Sequence, residues 1–464
     1  MKLKKEIFRE YDIRGVVGED LNRKLAVEIG KGVATKVQRA GKQEVAVGRD
    51  CRLSSPELAK GLIEGLLTSG CQVVDLGVVP TPLVYFTVFY KKKEAAVMIT
   101  GSHNPPEFNG FKVMIGEDTL HGPEIMDIYD IINDKQIIKA QGPGQQTAYN
   151  PIPDYLDYVN SQIKLQRPVK VVIDAGNGTA GPVAAPLFKR LGAEVIELYT
   201  EMDGRFPNHH PDPTLPEALK ELKTKVIESG AELGLAYDGD ADRIGAVDET
   251  GEIIWGDQLM IIFARDLLAK YPGAAIISEV KASSVLYDEI RRLGGKAIMW
   301  KTGHSLIKKK IKEERALLAG EMSGHIFFAD RWFGFDDAIY ASARLLEIIS
   351  QSSKKLSEHL ADLPKTYSTP EIRIYASDAV KFKIVELVKE ALSRRPDIRQ
   401  LIDIDGVRAV FDHGWGLLRA SNTQPVIVLR FEANSPEALK KIQKEIQQIL
   451  EEAIKKLDGE KNLS

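Results

Sequence analysis

Cysteine is nearly missing from this chain: 464 residues contain two, Cys51 and Cys71. Two thiols make no disulfide framework, so both read as core residues of a reduced protein, and a cytoplasmic location is expected. Long apolar runs are missing as well. No unbroken stretch has the length that a bilayer-spanning helix needs, so no membrane association is expected. The basic start, Met1–Lys5, leads into acidic and polar residues rather than the apolar segment of a signal peptide. An excess of one charge is the third absence. A net charge of −3 sets up no global basic field for nucleic acid or an anionic membrane surface. Any affinity for phosphate must therefore be local. Low-complexity tracts and coiled-coil heptads are absent too.

What is there is the composition of a globular protein, 44% hydrophobic and 28% charged. The chain is too long for one ordinary core, so three or four domains are expected. A repeat supports this. Val45-Ala46-Val47-Gly48 has the pattern of a buried strand. A polar loop, a helix opened by Ser54-Ser55-Pro56-Glu57 and closed at Ser69-Gly70, and a strand Gln72–Leu76 follow it. The same order returns at Lys170–Asp174 with Glu194–Leu198, and at Ala275–Ser278 with Lys296–Trp300. Strand, polar loop, helix, glycine, strand is the grammar of a right-handed β-α-β crossover. Each repeat then adds an apolar strand that runs into a polar loop. The first ends at Thr100-Gly101-Ser102-His103-Asn104-Pro105-Pro106. The second ends at Asp238-Gly239-Asp240-Ala241-Asp242-Arg243, and the third at Gly320-Glu321-Met322-Ser323-Gly324-His325. Equivalent positions that carry different chemistries suggest one shared cleft.

The grammar changes near Thr369. A strand, a helix, a hairpin around Asp412-His413-Gly414, another strand and a long amphipathic helix capped by Ser435 make a smaller, separate domain. The expected fold is α/β: three similar α/β domains with mixed sheets plus a smaller C-terminal α+β domain around one central cleft. Expected boundaries are 1–150, 151–252, 253–366 and 367–464.

The loops carry the chemistry. Ser102 is a hydroxyl held at a strand end, where open α/β sheets bind ligands. Asp238, Asp240 and Asp242 repel one another unless a cation or a set of donors neutralises them. A hard divalent ion such as Mg²⁺ suits oxygen ligands of this kind. The loop is not an EF-hand, since Arg243 stands at the sixth position, where glycine is needed. An acidic turn satisfied by Arg243 and backbone amides remains the other reading. Glu321, Ser323 and His325 alternate and would suit a polyol, while a satisfied polar turn is the default reading of the three alone. Lys281 and His304 are weak signals singly. Arg419-Ala420-Ser421-Asn422-Thr423 makes a plausible phosphate cradle, with Arg430 on the next strand free to pair an acidic residue.

Taken together, the serine, aspartate, Gly-Glu-Met-Ser-Gly-His and Arg-Ala-Ser-Asn-Thr loops occur in the order found in a known family. The chain resembles the α-D-phosphohexomutases over essentially its whole length, and among them the phosphomannomutase/phosphoglucomutase group. The stretch Arg331-Trp332-Phe333-Gly334-Phe335-Asp336-Asp337 is like that group too. Phosphoglucosamine mutases tend instead to carry an alanine in the serine loop and an S-G-T-E-P phosphate loop, and neither occurs here. The resemblance implies that Ser102 is the phosphorylated serine. It implies that Asp238, Asp240 and Asp242 hold Mg²⁺ together with a phosphate oxygen on Ser102. Glu321 and Ser323 would read sugar hydroxyls, and Arg419, Ser421, Asn422 and Thr423 would hold the non-reacting phosphate. Tyr11, Arg14, Lys112, Arg243, Lys281, His304 and His325 match cleft-lining positions, with Arg14, Lys112 and His304 expected to be catalytic beside Ser102. The implied reaction moves phosphate between the 1- and 6-positions of mannose or glucose phosphates through a hexose 1,6-bisphosphate, in a monomer or small homo-oligomer. A phosphoglucosamine mutase, a metal-dependent sugar phosphatase and a sugar-phosphate-binding module without activity are the alternatives.

Overall fold

Runs of small and branched apolar residues become the central strands. Every residue of Ala95–Ile99, Leu233–Tyr237 and Ala275–Glu279 is buried, as expected for strands covered on both faces. The computed structural model describes residues 3–422 and 424–461. Among these, no helix is long and apolar enough to cross a membrane.

Three sheets repeat one pattern. Strand Ala95–Ile99 lies between Glu44–Arg49 and the antiparallel Phe108–Ile115. Leu233–Tyr237 lies between Lys170–Asp174 and the antiparallel Ile244–Asp248. Leu318–Gly320 lies between Ala275–Glu279 and the antiparallel Ile326–Phe328. On the far side of each first strand sits the strand that ends its crossover, Gln72–Val78, Glu194–Leu198 or Lys296–Trp300. Loops 100–107, 238–243 and 321–325 therefore leave the same place in three sheets. The repeat read from the sequence is present, with mixed sheets.

In the first of these regions, helices Arg23–Arg39 and Ser55–Thr68 meet along glycines. A Cβ on Gly65 would lie 2.1 Å from the Val27 carbonyl, and one on Gly30 would lie 2.4 Å from that of Leu62. The backbones are in contact, which no larger residue permits. One expected detail differs. Ser54 occupies the cap position of its helix but makes no side-chain capping bond. Its hydroxyl instead accepts from Asn109 Nδ2 at 2.8 Å, because the folded chain offers a partner that local reading cannot see.

Contacts divide the chain into two units. The larger comprises Met1–Ile277, Glu289–Ala297 and Gly303–Ala361, and the smaller comprises Ser278–Asp288, Ile298–Thr302 and Asp362–Ser464. In the smaller unit, strands Tyr367–Ser368, Ile372–Tyr375, Gln400–Ile402, Val407–Phe411, Gly414–Ala420 and Val426–Ala433 pair antiparallel throughout. Helices Lys381–Ser393 and Pro436–Lys461 cover a core around Leu418, Leu429, Phe431 and Ile446. Ser435 does cap its helix, accepting from Ala438 N at 3.1 Å.

A long segment after strand Glu194–Leu198 is pinned by a histidine. Asp174 is buried, and both its oxygens lie 3.0–3.1 Å from His209 Nε2. His209 Nδ1 lies 3.0 Å from the His210 carbonyl. Both ring nitrogens face acceptors, the arrangement of an imidazolium. Burial is the largest single influence and opposes that charge, but the bond to Asp174, the Asp174 charge and the His210 carbonyl together outweigh it, and the pKa of His209 is raised. Tyr199 packs edge-on against the same ring, and Glu221 adds a further favourable charge. A folded pKa above the unfolded one means stabilisation that is complete below the unfolded value of about 6.5 and is lost as pH rises through the folded value. His209→Asn should therefore lower the apparent melting temperature most in acid, and the difference from wild type should narrow through neutral and alkaline pH. Thermal melts across a pH series measure this; a difference that widens with pH would contradict it.

Candidate functional site

The serine loop begins where strand Ala95–Ile99 stops. Ser102 adopts the left-handed conformation with φ +49°, uncommon for a residue with a Cβ. It is 2% exposed. Its Oγ donates to Asp238 Oδ2 at 2.8 Å and lies 3.2 Å from His103 Nδ1. Burial, then the charges of Arg243 and Arg14, hold His103 well below its ordinary pKa. Arg14 pairs with Asp12 and donates to Asn104 Oδ1 at 3.0 Å, which places it on the same loop.

The aspartate loop begins where Leu233–Tyr237 stops. Asp238, Asp240 and Asp242 are fully buried, and one oxygen from each lies within 4.8 Å of the others. Part of the acidic-turn reading is present: Asp238 Oδ1 accepts from the amides of Asp242 and Arg243 at 3.1 and 3.2 Å. Lys112 Nζ donates to Asp240 Oδ2 at 2.7 Å and is ion-paired with Asp242. Thr81 and Thr179 hold the loop from either side. Thr81 donates through N to the Asp240 carbonyl at 2.9 Å and through Oγ1 to the Asp240 carboxylate. Thr179 donates to the Gly239 carbonyl through N at 3.1 Å and Oγ1 at 3.2 Å. The Oδ1 atoms of Asp240 and Asp242 have no hydrogen-bond partner. Buried oxygens of that kind need a cation or a donor, and an all-oxygen set fits a hard divalent ion.

The charges separate the carboxylates. Burial, Asp240 and Asp242 push Asp238 well above its usual range. Burial would raise Asp240 also, but Lys112 holds it low. Burial disfavours the Lys112 ammonium, yet Asp240 and Asp242 outweigh that and raise its pKa.

The third loop brings the imidazoles. Glu321 Oε1 accepts from Gly303 N at 2.7 Å. Gly303 has φ +131°, and a Cβ there would lie 2.4 Å from the Tyr11 ring. Tyr11 stands edge-on to His304 at 5.9 Å, and His304 stacks on His325 at 5.3 Å. Arg243 Nε donates to His325 Nε2 at 3.1 Å, so the neutral ring carries its proton on Nδ1. That Nδ1 lies 3.0 Å from Asp336 Oδ2, off hydrogen-bonding alignment. Burial, then Lys308, keep His304 well below its ordinary pKa, and its Nδ1 has no hydrogen-bond partner. Ser323 is half-buried in the same turn.

The larger unit thus brings together Tyr11, Arg14, Ser102, Lys112, Asp238, Asp240, Asp242, Arg243, His304, Glu321 and His325. Lys281, Arg419, Ser421 and Asn422 belong to the smaller unit. There Arg419 Nε donates to Asp405 Oδ2 at 2.9 Å, and Lys281 Nζ donates to Glu371 Oε1 at 2.6 Å. Ser421 Oγ accepts from Gln424 N at 3.2 Å. Thr423 lies outside the described residues. Arg430 Nη1 donates to the Lys281 carbonyl at 2.6 Å.

Several partners escaped the sequence reading: Thr81, Thr179, Asp336, Glu371 and Asp405. Asp336 lay inside a stretch singled out there, but nothing local tied it to His325. Lys112 is the partner whose loss should be felt most in the free protein. Lys112→Ala leaves the carboxylates uncompensated and should cost about 3–5 kcal/mol of stability in EDTA. Saturating Mg²⁺ should restore part of that. Denaturation curves in EDTA and in MgCl₂ test this; equal losses in both would detach the loop from cation binding.

Four family models match the chain in order. Three describe phosphoglucomutase/phosphomannomutase α/β/α domains I, II and III, at residues 5–138, 153–251 and 255–367, and the fourth describes the C-terminal domain, at 371–449. The chain is 50% identical over 437 residues to a phosphomannomutase/phosphoglucomutase of Pseudomonas aeruginosa, covering 94% of this chain and 93% of that one. It is 46% identical over 447 residues to a phosphoglucomutase of Neisseria gonorrhoeae, covering 96% and 97%. A crystal structure of a phosphoglucomutase/phosphomannomutase family protein from Burkholderia thailandensis superposes with a TM-score of 0.92 at 43% identity, covering 97% of this chain and 98% of that one.

Proposed function

Because the chain belongs to the phosphoglucomutase/phosphomannomutase family, we propose that it moves phosphate reversibly between the 1- and 6-positions of glucose and mannose, with Ser102 as the carrier. The observation that carries this reading is one contact. The Ser102 hydroxyl, in a left-handed turn, lies 2.8 Å from Asp238 at the head of the carboxylate loop.

In the first half-reaction the 6-hydroxyl of a hexose 1-phosphate attacks phosphorus on phosphorylated Ser102. The new O–P bond forms as the bond to Ser102 Oγ breaks. His304 Nδ1, neutral and without a partner, takes the hydroxyl proton, and the departing serine oxygen takes one from water. The bisphosphate then turns, Ser102 Oγ returns that proton to water as it attacks the 1-phosphoryl group, and the C1 oxygen leaves with the proton held on His304. Such transfer depends on positioning and charge neutralisation more than on strong acids or bases. Arg14 and Lys112 supply positive charge beside Ser102. Asp238, Asp240 and Asp242 are the residues that would hold Mg²⁺, which when bound offsets the charge of the transferring group.

Glu321 and Ser323 read the sugar's 3- and 4-hydroxyls, with Tyr11, Arg243 and His325 around them. In the smaller unit Arg419, Ser421, Asn422 and Lys281 serve the other phosphate, as does Thr423. Hexose 1,6-bisphosphate restores the phosphorylated enzyme when the intermediate escapes. The free thiols Cys51 and Cys71 favour action in the cytoplasm, as a monomer or small homo-oligomer. The proposed domain limits are 1–150, 151–252, 253–366 and 367–464.

Ser102→Ala tests the carrier. It should remove nearly all turnover while the fold persists, and wild-type protein should show a phosphate-sized mass increment on Ser102. Near-normal turnover by the variant would end the proposal. Steady release of inorganic phosphate in place of isomer would favour a phosphatase.

Specificity follows from what Glu321 and Ser323 read. Glucose and mannose differ only at the 2-hydroxyl, which neither residue contacts in this reading. The two sugars should agree within about tenfold in kcat/KM, or about 1.4 kcal/mol. Galactose 1-phosphate should be poorer by about 1–3 kcal/mol, because its inverted 4-hydroxyl leaves Glu321 unpaired. Glucosamine phosphate should be poorer as well, and rates for the four sugars under one set of conditions decide this. A clear preference for glucosamine phosphate would move the enzyme to another subgroup.

A further inference from the structure

One arginine fills the inside of the serine loop. Arg52 has a fully buried side chain, and all five of its N–H donors are engaged. Nε donates to Asp50 Oδ2 at 3.1 Å. Nη1 donates to the carbonyls of Pro105 and Phe108 at 2.5 and 3.1 Å. Nη2 donates to those of Ser102 and Asn104 at 2.7 and 2.6 Å. Three carbonyl oxygens of one short loop and that of the first residue after it are thus drawn onto a single planar cation.

Asp50 completes the arrangement. Its Oδ2 accepts from Thr100 Oγ1 at 2.9 Å and Gly101 N at 3.1 Å, and its Oδ1 accepts from Arg52 N at 3.0 Å and from Ser55 Oγ. Thr100 Oγ1 in turn accepts from Ser102 N at 2.8 Å. Ser102 is therefore held at its amide through Thr100 and Asp50, and at its carbonyl by Arg52. Gly101 is required by the same packing, since a Cβ there would lie 2.5 Å from the guanidinium. On the other side the Phe206 ring covers the guanidinium at 5.1 Å. A Cβ on Gly239, between the metal-loop aspartates, would lie 2.6 Å from the Ser102 carbonyl and 3.6 Å from the Phe206 ring.

We propose that Arg52 and Asp50 are positioning residues for the mutase reaction, a role that rests on Ser102 being the phosphoryl carrier. They hold the loop in the left-handed turn from which Ser102 both gives up and retakes the phosphoryl group. Without the guanidinium, four carbonyl dipoles would converge on an unfilled site beside a buried carboxylate, and the loop would open to relieve them. Arg52 does not touch the sugar, so its effect falls on transfer rather than on ground-state binding. Lysine is a poor substitute, because an ammonium has three donors and no planar fork.

The test uses full-length Arg52→Lys, Arg52→Ala and Thr100→Val beside Ser102→Ala, each assayed with glucose 1-phosphate and activating bisphosphate. Thr100→Val keeps the shape of the side chain and cuts the link from Asp50 to the Ser102 amide, so it carries the test if the arginine variants do not fold. The expected result is a loss in kcat on the order of a hundredfold for displaced reacting groups. KM should stay within about threefold of wild type, since uniform binding is untouched. Added guanidinium should partly rescue Arg52→Ala and leave Arg52→Lys unchanged. Wild-type kcat in Arg52→Lys or in Thr100→Val would overturn the proposal. So would losses in kcat that the loss of folded protein, read from melting curves at the assay temperature, fully accounts for. If Ser102→Ala itself turns over normally, the carrier assignment fails first, whatever the arginine variants do.

Discussion

Everything about the larger unit's site follows from the burial of three carboxylates within five residues. Asp238, Asp240 and Asp242 have no exposed surface, and like charges so close cannot all persist in a low dielectric without compensation. The structure distributes the compensation. Asp238 takes two backbone amides and the Ser102 hydroxyl, and Asp240 and Asp242 share Lys112. Lys112 comes from strand Phe108–Ile115 and Ser102 from the loop just before it. The acidic loop of one sheet is thus neutralised by groups on either side of one hairpin in another. Two carboxylate oxygens remain without a donor, so the cluster is a candidate cation site and not a fully satisfied turn.

The sheet topology explains how those groups meet. Each loop leaves the strand beside the first strand of a β-α-β crossover, then returns as an antiparallel neighbour. In such a loop the chain reverses at the sheet's end and presents its side chains beyond the strands, where α/β sheets bind ligands. Three copies of this geometry give three loops free to differ in chemistry while their supports stay alike. The supports are polar. Thr81, the first residue of helix Thr81–Lys91, and Thr179, before helix Gly181–Arg190, both donate to the Asp238–Arg243 loop.

The sequence carries this architecture because its signals are local. An apolar run such as Ala95–Ile99 or Leu233–Tyr237 and a glycine after each helix announce the crossovers. The polar residues that follow the third strand announce the loops. What stayed hidden depends on contacts between distant positions. Arg52 is one of two arginines in an ordinary polar loop, and only the fold reveals that it reaches carbonyls about fifty residues away. Ser54 had every local mark of a cap, yet Asn109 claims its hydroxyl. Asp336 and Asp337 stood side by side in one stretch, but Asp337 caps a helix, accepting from Tyr340 N at 2.8 Å, while Asp336 lies beside His325, His304 and Lys308. Segments Ser278–Asp288 and Ile298–Thr302 group with the smaller unit, although their place in the repeat reads as part of the third sheet.

The electrostatics around the imidazoles complete the picture. Lys112, Arg243, Arg14 and Lys308 place positive charge around the imidazoles, and Lys112, Arg14 and Lys308 each pair with a carboxylate there. The same field disfavours additional protons. Burial, joined by Arg243 at His103 and Lys308 at His304, keeps both rings neutral. Arg243 occupies His325 Nε2 and fixes the proton of the neutral ring on Nδ1. Burial also lowers Lys308, with Asp336 opposing that shift and holding the ammonium at 3.0 Å. A site organised this way keeps its permanent positive charge on lysine and arginine and leaves histidine nitrogen free of protons near neutral pH. Charge neutralisation and proton acceptance then rest on different side chains, so one can act without cancelling the other. That division suits a phosphoryl transfer made in two steps, each of which needs both functions.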